Sequence, residues 1–331
     1  MIQSWGYNGF YEVFRMRTLK LISLLSLILV VGCQNIQAQA LPTQIDVATN
    51  VPVQNASLSE KPAQTSTSTP FIPSTTVPSA TITATFTATP DTRPLPEDWK
   101  EWPVVPEPTS RVYEIYQKGV ELGRDPHSFS KIGDCQNVRE AFMGLFDKPG
   151  WYILRDENAN LQPAIDWFAG SFDRDGYAVR GGFNAASVLN PIMADQSVCN
   201  PKENPIECEL RVHNPSFAFV SMELWWNGRT TEKYEEYMRK ILDTLIENGV
   251  VPILATKADN VEGDNALNLT TAKLAYEYNL PMWNFWAEAQ TLPNKGMDPQ
   301  RNDGFHISYQ AWTVRSFSAL RTLDVMWRSV Q

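Results

Sequence analysis

Five short apolar runs alternate with segments of helical period: Phe129–Ile132, Tyr177–Val179, Phe217–Met222, Val250–Ala255 and Met282–Phe285. Each run is bounded by Gly, Pro or Asn and is too short for a helix, so each is predicted to be a strand. Helices are predicted between them at Val138–Phe146, Gln162–Ala169, Thr231–Glu247 and Ala266–Tyr278. In 231–247, Tyr234, Tyr237, Met238, Ile241, Leu242, Leu245 and Ile246 form one apolar face, and Asn248-Gly249 stops the helix. A closing helix through Trp327 has Ser308 as its N-cap. Strands joined by helical crossovers run parallel and are covered on both faces, so the folded part is an α/β domain.

This domain is predicted over 96–331, because composition changes near Leu95. From Gln34 to about Pro94 the chain is Thr, Ser, Pro, Ala and Gln, with too little apolar surface to offset chain entropy, so 33–95 is expected to be a disordered tether. Before it, Arg15, Arg17 and Lys20 precede the apolar run Leu21–Val31, which ends in Gly32-Cys33. A basic segment followed by about 11 apolar residues reads as a secretory signal and is short for a membrane span. Gly32-Cys33 resembles a bacterial lipobox. On that expectation 1–32 is removed, the Cys33 thiol carries the lipid, Met16 is the natural start of the signal, and the domain lies outside the cytoplasm, tethered to the membrane.

With 331 residues, 43% of them hydrophobic, the chain can bury a sizeable core. Its net charge of -9 and the lack of a basic block argue against a nucleic-acid partner. Of four cysteines, Cys199 and Cys208 bracket the polar loop "CNPKENPIEC", which outside the cytoplasm reads as a disulfide. Zinc is the poorer reading there, since only His213 is near as a third soft ligand; no metal or cofactor is expected. That leaves Cys135, in "KIGDCQN", where a strand end meets Gly-Asp: a nucleophile, or an inert buried thiol.

A base for such a nucleophile must come from three histidines, His127, His213 and His306. In "RNDGFHIS", Asp303 stands three residues before His306, a spacing that lets a carboxylate hold the far ring nitrogen. His127 has Asp125 nearby and is a weaker competitor, and His213 lies in a polar loop. The turn after Ala255, Lys257-Ala-Asp-Asn260, reads as a solvated or substrate-contacting loop.

Gly133-Asp134-Cys135 at the first strand, a glycine after the second, and Asp303-x-x-His306 before the last helix together resemble the SGNH (GDSL-type) hydrolase family. The resemblance runs from about Phe129 to Trp327 and implies a flavodoxin-like three-layer α/β/α sandwich with a central parallel sheet. It also implies hydrolysis of small-molecule, glycan- or lipid-linked esters by covalent nucleophilic catalysis. Cys135 falls where the family has serine, Asp303 and His306 fall on its acid and base, and Gly182, rather than Gly181, lines the oxyanion site beside the Cys135 N–H. A thiol heading a helix would have its thiolate stabilised there. The family's Gly-x-Asn-Asp block is replaced by Glu223-Leu224-Trp225-Trp226, so a side-chain oxyanion donor must come from Trp225, Trp226 or Asn227. Missing serine and asparagine also fit a second reading, an inactive module of the same fold that binds surface glycans or proteins.

Overall fold

The computed structural model describes residues 93–223, 230–301 and 303–331. Cys33, the tether before residue 93, and Trp225, Trp226 and Asn227 lie outside the described residues.

Four parallel strands form the sheet: β1 Asp125–Gly133, β2 Pro215–Ser221, β3 Val251–Ala255 and β4 Met282–Trp283, adjacent in that order. From Ser128 to Gly133 in β1, and through nearly all of β2 and β3, every residue is buried. Continuous burial means that both faces are covered, as the unbroken apolar runs required. The helices are α1 Ser110–Glu121, α2 Gln162–Trp167, α3 Pro205–His213, α4 Thr231–Glu247, α5 Ala266–Tyr278, α6 Phe285–Ala289 and α7 Tyr309–Arg328. The observed α4 and α5 have the predicted ends, and the Ser308 hydroxyl accepts the Ala311 N–H at 3.2 Å as the cap of α7.

The expected strand Tyr177–Val179 shrinks to a single parallel bridge, Val179 to Gly133. Ala178 carbonyl accepts the Gly133 N–H at 3.1 Å, and Gly133 carbonyl accepts the Arg180 N–H at 3.3 Å. This bridge lies beyond β1, so counting it as a second strand gives the spatial order 2-1-3-4-5 of flavodoxin-like sheets. Chain connections leave β1 in opposite directions there, which opens a crevice at the carboxyl end of β1. The fold is therefore α/β with a central parallel sheet.

The expected helix Val138–Phe146 does not form. Short 3₁₀ turns occupy Cys135–Asn137 and Gly144–Asp147, and Met143 takes a left-handed conformation (φ 64°) that a helix cannot contain. Ala141, Phe142, Met143 and Phe146 are all buried, with Phe142 stacked on Trp283. Burying these four in the core overrides the helical period. Helices α1, α3 and α6 are not among the predicted ones; α1 packs on β3, α3 on β1 and α6 on α7, and α3 begins within the cysteine loop, where Asn204 and Glu207 form a capping box.

Candidate active site

Gly133 ends β1 where no side chain fits: a Cβ would lie 2.3 Å from Asn137 Cγ and 2.7 Å from the Ser221 carbonyl oxygen. The chain then turns, because Asp134 Oδ1 accepts the Gln136 N–H at 2.8 Å and the Asn137 amide at 3.2 Å. Cys135 is carried at the turn's apex, half-buried and the one free thiol among the described residues.

The second half of the site comes from the loop before α7. Asp303 Oδ1 accepts the N–H groups of Phe305 and His306, both at 3.0 Å, and its Oδ2 meets His306 Nδ1 at 2.7 Å. His306 carbonyl accepts the Asp298 N–H at 2.9 Å, and Ile307 bridges Met297, so the turn is braced from behind. Those backbone donors, and then the imidazole, hold the Asp303 carboxyl down at about 2. As an ionised carboxylate it can only accept, so His306 Nδ1 carries the proton and Nε2 of the neutral ring has a free lone pair. Nε2 stands 3.5 Å from Cys135 Sγ. The structure thus brings Cys135, His306 and Asp303 into one line. It places the competitors elsewhere: His127 stacks on Trp167 and meets its carbonyl, and His213 meets the buried Glu209 carboxylate at 2.9 Å.

Burial pushes the Cys135 thiol up to about 11, and the Asp134 carboxylate adds to the effect. The expected thiolate at a helix head is therefore corrected. Cys135 opens a three-residue 3₁₀ turn, which has no macrodipole to set against desolvation. At neutral pH the sulfur keeps its proton unless His306 takes it.

Across the crevice, Gly182 has φ 84°, a value that favours glycine, in a turn closed by the Phe183 N–H to the Arg180 carbonyl at 3.0 Å. Gly181 is the glycine that faces the thiol, since a Cβ on it would lie 3.8 Å from Cys135 Cβ. Both belong to one turn beside Cys135. The Ala185 N–H reaches the Glu223 carbonyl at 2.9 Å and fastens this loop to the end of β2.

Sequence reasoning missed the charges behind the thiol. A narrow pocket beside the pair is lined by Asp134, Gln136, Ser221, Glu223, Thr256, Lys257 and Arg315, with Met222, Ala258, Phe285 and Ile307 among them. Lys257 is mostly enclosed rather than solvated: its ammonium lies 2.6 Å from Asp259, 2.7 Å from Glu262 and 3.3 Å from Glu223. Burial alone would lower it, but these carboxylates outweigh that and hold it well above the usual lysine range. Glu223 is raised, by desolvation first and then by Asp259. Only the position of the turn at the carboxyl end of β3 signalled this cluster in the sequence.

Cys199 and Cys208 are joined in a disulfide at 2.08 Å. With Glu203 they make the one grouping of possible metal ligands among the described residues, but its two sulfurs are bonded to each other and offer no thiolate.

No protein-family model matches the sequence, and no curated protein matches it. Solved structures do. One is a GDSL-like lipase from Bacteroides thetaiotaomicron, with 12% identity, a TM-score of 0.38, and coverage of 65% of this chain and 97% of that one. Another is an acetyl xylan esterase, with 16% identity, a TM-score of 0.37, and coverage of 62% and 100%. A third is a two-domain esterase active on acetylated mannans, with 14% identity and a TM-score of 0.41; the match covers 70% of this chain and 58% of that one. By its own strand order, the thiol turn after β1 and the Asp303-His306 turn before α7, this chain resembles the SGNH (GDSL-type) hydrolases.

Proposed function

We propose that this protein is a thiol-dependent ester hydrolase whose nucleophile is Cys135, with His306 as general base and Asp303 as the group that orients it. The observation that carries the reading is the 3.5 Å approach of His306 Nε2 to Cys135 Sγ, with Nδ1 held by Asp303 at 2.7 Å. Because the thiol is pushed up to about 11, proton transfer to Nε2 accompanies attack of sulfur on the ester carbonyl carbon. The tetrahedral oxyanion collapses, the C–O bond breaks, and the alcohol leaves with the proton from Nε2. A thioester on Cys135 remains. Water then gives a proton to Nε2 and attacks the thioester. The acid departs, and the proton returns to sulfur. Oxyanion donors in this reading are the Cys135 N–H, the glycine turn at Gly182 and a side chain from 224–229, with Asn227 the candidate.

The narrow pocket beside the pair suits a short acyl group such as acetyl better than a long alkyl chain, since seven polar or charged side chains line it and apolar contact comes from Met222, Ala258, Phe285 and Ile307 alone. The substrate is then a short-chain ester of a small molecule or glycan. The protein would act outside the cytoplasm, held at the membrane through lipid on Cys33. A Cys33→Ala change should release it and remove labelling by radioactive palmitate.

p-Nitrophenyl acetate turnover tests the assignment. Wild-type protein should hydrolyse it, and Cys135→Ala should lose activity; unchanged activity in Cys135→Ala would remove Cys135 from the reaction. The raised thiol also fits the second reading, a non-catalytic binding module, which predicts no turnover by wild type.

A further inference from the structure

Helix α7, which follows the His306 loop, carries Arg315 under the nucleophile turn. Arg315 is 3% exposed, and its guanidinium donates to the Gln136 carbonyl at 2.6 Å, Asn137 Oδ1 at 2.8 Å and Ser221 Oγ at 3.0 Å. Its flat face lies 4.1 Å from the Phe142 ring centroid, with Trp283 and Phe285 beside it. We propose that Arg315 is a positioning residue that holds the Cys135 turn in register with His306.

The partners carry this inference. A buried guanidinium is costly, and such charges are normally balanced by a directly bonded carboxylate. Here three neutral oxygens take the hydrogen bonds instead: two within two residues of Cys135, one at the end of β2. Asp134 is the one carboxylate that counters the desolvation, and burial still pushes the guanidinium down to about 10. A planar fork can reach three acceptors in fixed directions while stacking on an aromatic ring, which a lysine ammonium cannot reproduce. The turn is gripped from the base side as well, since the Gln136 amide donates to the Phe305 carbonyl at 3.0 Å. Gln136 therefore hangs between the loop that bears His306 and the helix that follows it. Next to Arg315, Ser316 Oγ accepts the Met143 N–H at 3.0 Å, so α7 also holds the irregular segment after the turn. One rigid helix thus sets the spacing of nucleophile and base, groups that lie 171 residues apart.

The proposal rests on the pairing of Cys135 with His306, and its test has a readout independent of ester turnover. In the full chain, iodoacetamide alkylation of Cys135 would be followed against pH by peptide mass spectrometry, for wild type, His306→Ala and Arg315→Lys. Wild type should show a reactive limb near neutral pH that His306→Ala lacks, and Arg315→Lys should follow His306→Ala. With p-nitrophenyl acetate, Arg315→Lys should lower kcat roughly 100-fold with KM little changed, the cost of about 1 Å of misplacement. A wild-type alkylation profile in Arg315→Lys, with kcat within about twofold, would overturn the proposal. So would identical profiles for wild type and His306→Ala, which leave nothing to position. Should Arg315→Lys fail to fold, Ser221→Ala removes one partner only and should still lower kcat several-fold; an unchanged kcat there refutes the role. Absence of turnover by wild type sinks the hydrolase reading alone, and the alkylation arms still decide the role of Arg315.

Discussion

Cys135 Sγ and His306 Nε2 stand 3.5 Å apart although 171 residues of chain separate them. One follows the first strand, the other precedes the last helix, and the parallel sheet brings both to its carboxyl edge. A sulfur–nitrogen contact of this length, with the ring's far nitrogen held at 2.7 Å by Asp303, is a proton-transfer geometry.

Removal of the base should therefore be costly. His306→Ala should lower kcat for p-nitrophenyl acetate roughly 100- to 10,000-fold, the usual range for general-base catalysis. Asp303→Asn should cost less than His306→Ala, because Asp303 is largely exposed and water can partly replace it. Steady-state kinetics of the two variants check the order.

The pH dependence of the thiol separates burial from charge. With His306 replaced by Ala, alkylation of Cys135 should rise with pH toward about 11, because a raised thiol yields thiolate only at high pH. Adding Asp134→Asn removes the carboxylate that reinforces burial, so the midpoint should move down. A midpoint that stays in place would mean that burial alone raises the thiol.

Gly133→Ala should damage site and stability together. The new methyl would lie 2.0 Å from the Asn137 amide nitrogen, the side chain whose Oδ1 accepts from Arg315. Crowding of this kind costs about 1–3 kcal/mol. Urea unfolding should show that loss, and turnover should fall beyond what the loss of folded protein explains.

The Cys199–Cys208 bond closes a short loop, with a sequence separation of 9, at the start of α3. A Cys199→Ser/Cys208→Ser double variant should lose about 2–3 kcal/mol of stability, from the greater freedom of the unfolded chain. A lower urea midpoint, with a slope equal to or slightly above that of wild type as the freed chain expands, would confirm it. Glu209, next in the chain, accepts the Tyr177 N–H at 2.6 Å and so ties α3 to the segment leading into the glycine turn. A modest fall in turnover should accompany the stability loss.

Sequence alone was enough for four of the five expected strands and for α4, α5 and α7, because their apolar periods match the burial that the sheet imposes, whereas Tyr177–Val179 keeps only one bridge. The sequence also determined Asp303 and His306 as a pair, since three residues of chain suffice to bring carboxylate and imidazole together. Long-range packing decided the rest. The segment 138–146 has a helical period, yet Phe142 and Met143 are drawn into the core and the helix is lost. With it goes the favourable field expected at Cys135, and desolvation sets the thiol instead. Lys257 and Arg315 look like surface charges in a linear reading. Only the fold shows Lys257 enclosed by three carboxylates and Arg315 beneath the Cys135 turn: Asp259 and Glu262 are near Lys257 in the chain, but Glu223 is brought to it from the end of β2, and Gln136 lies 179 residues before Arg315.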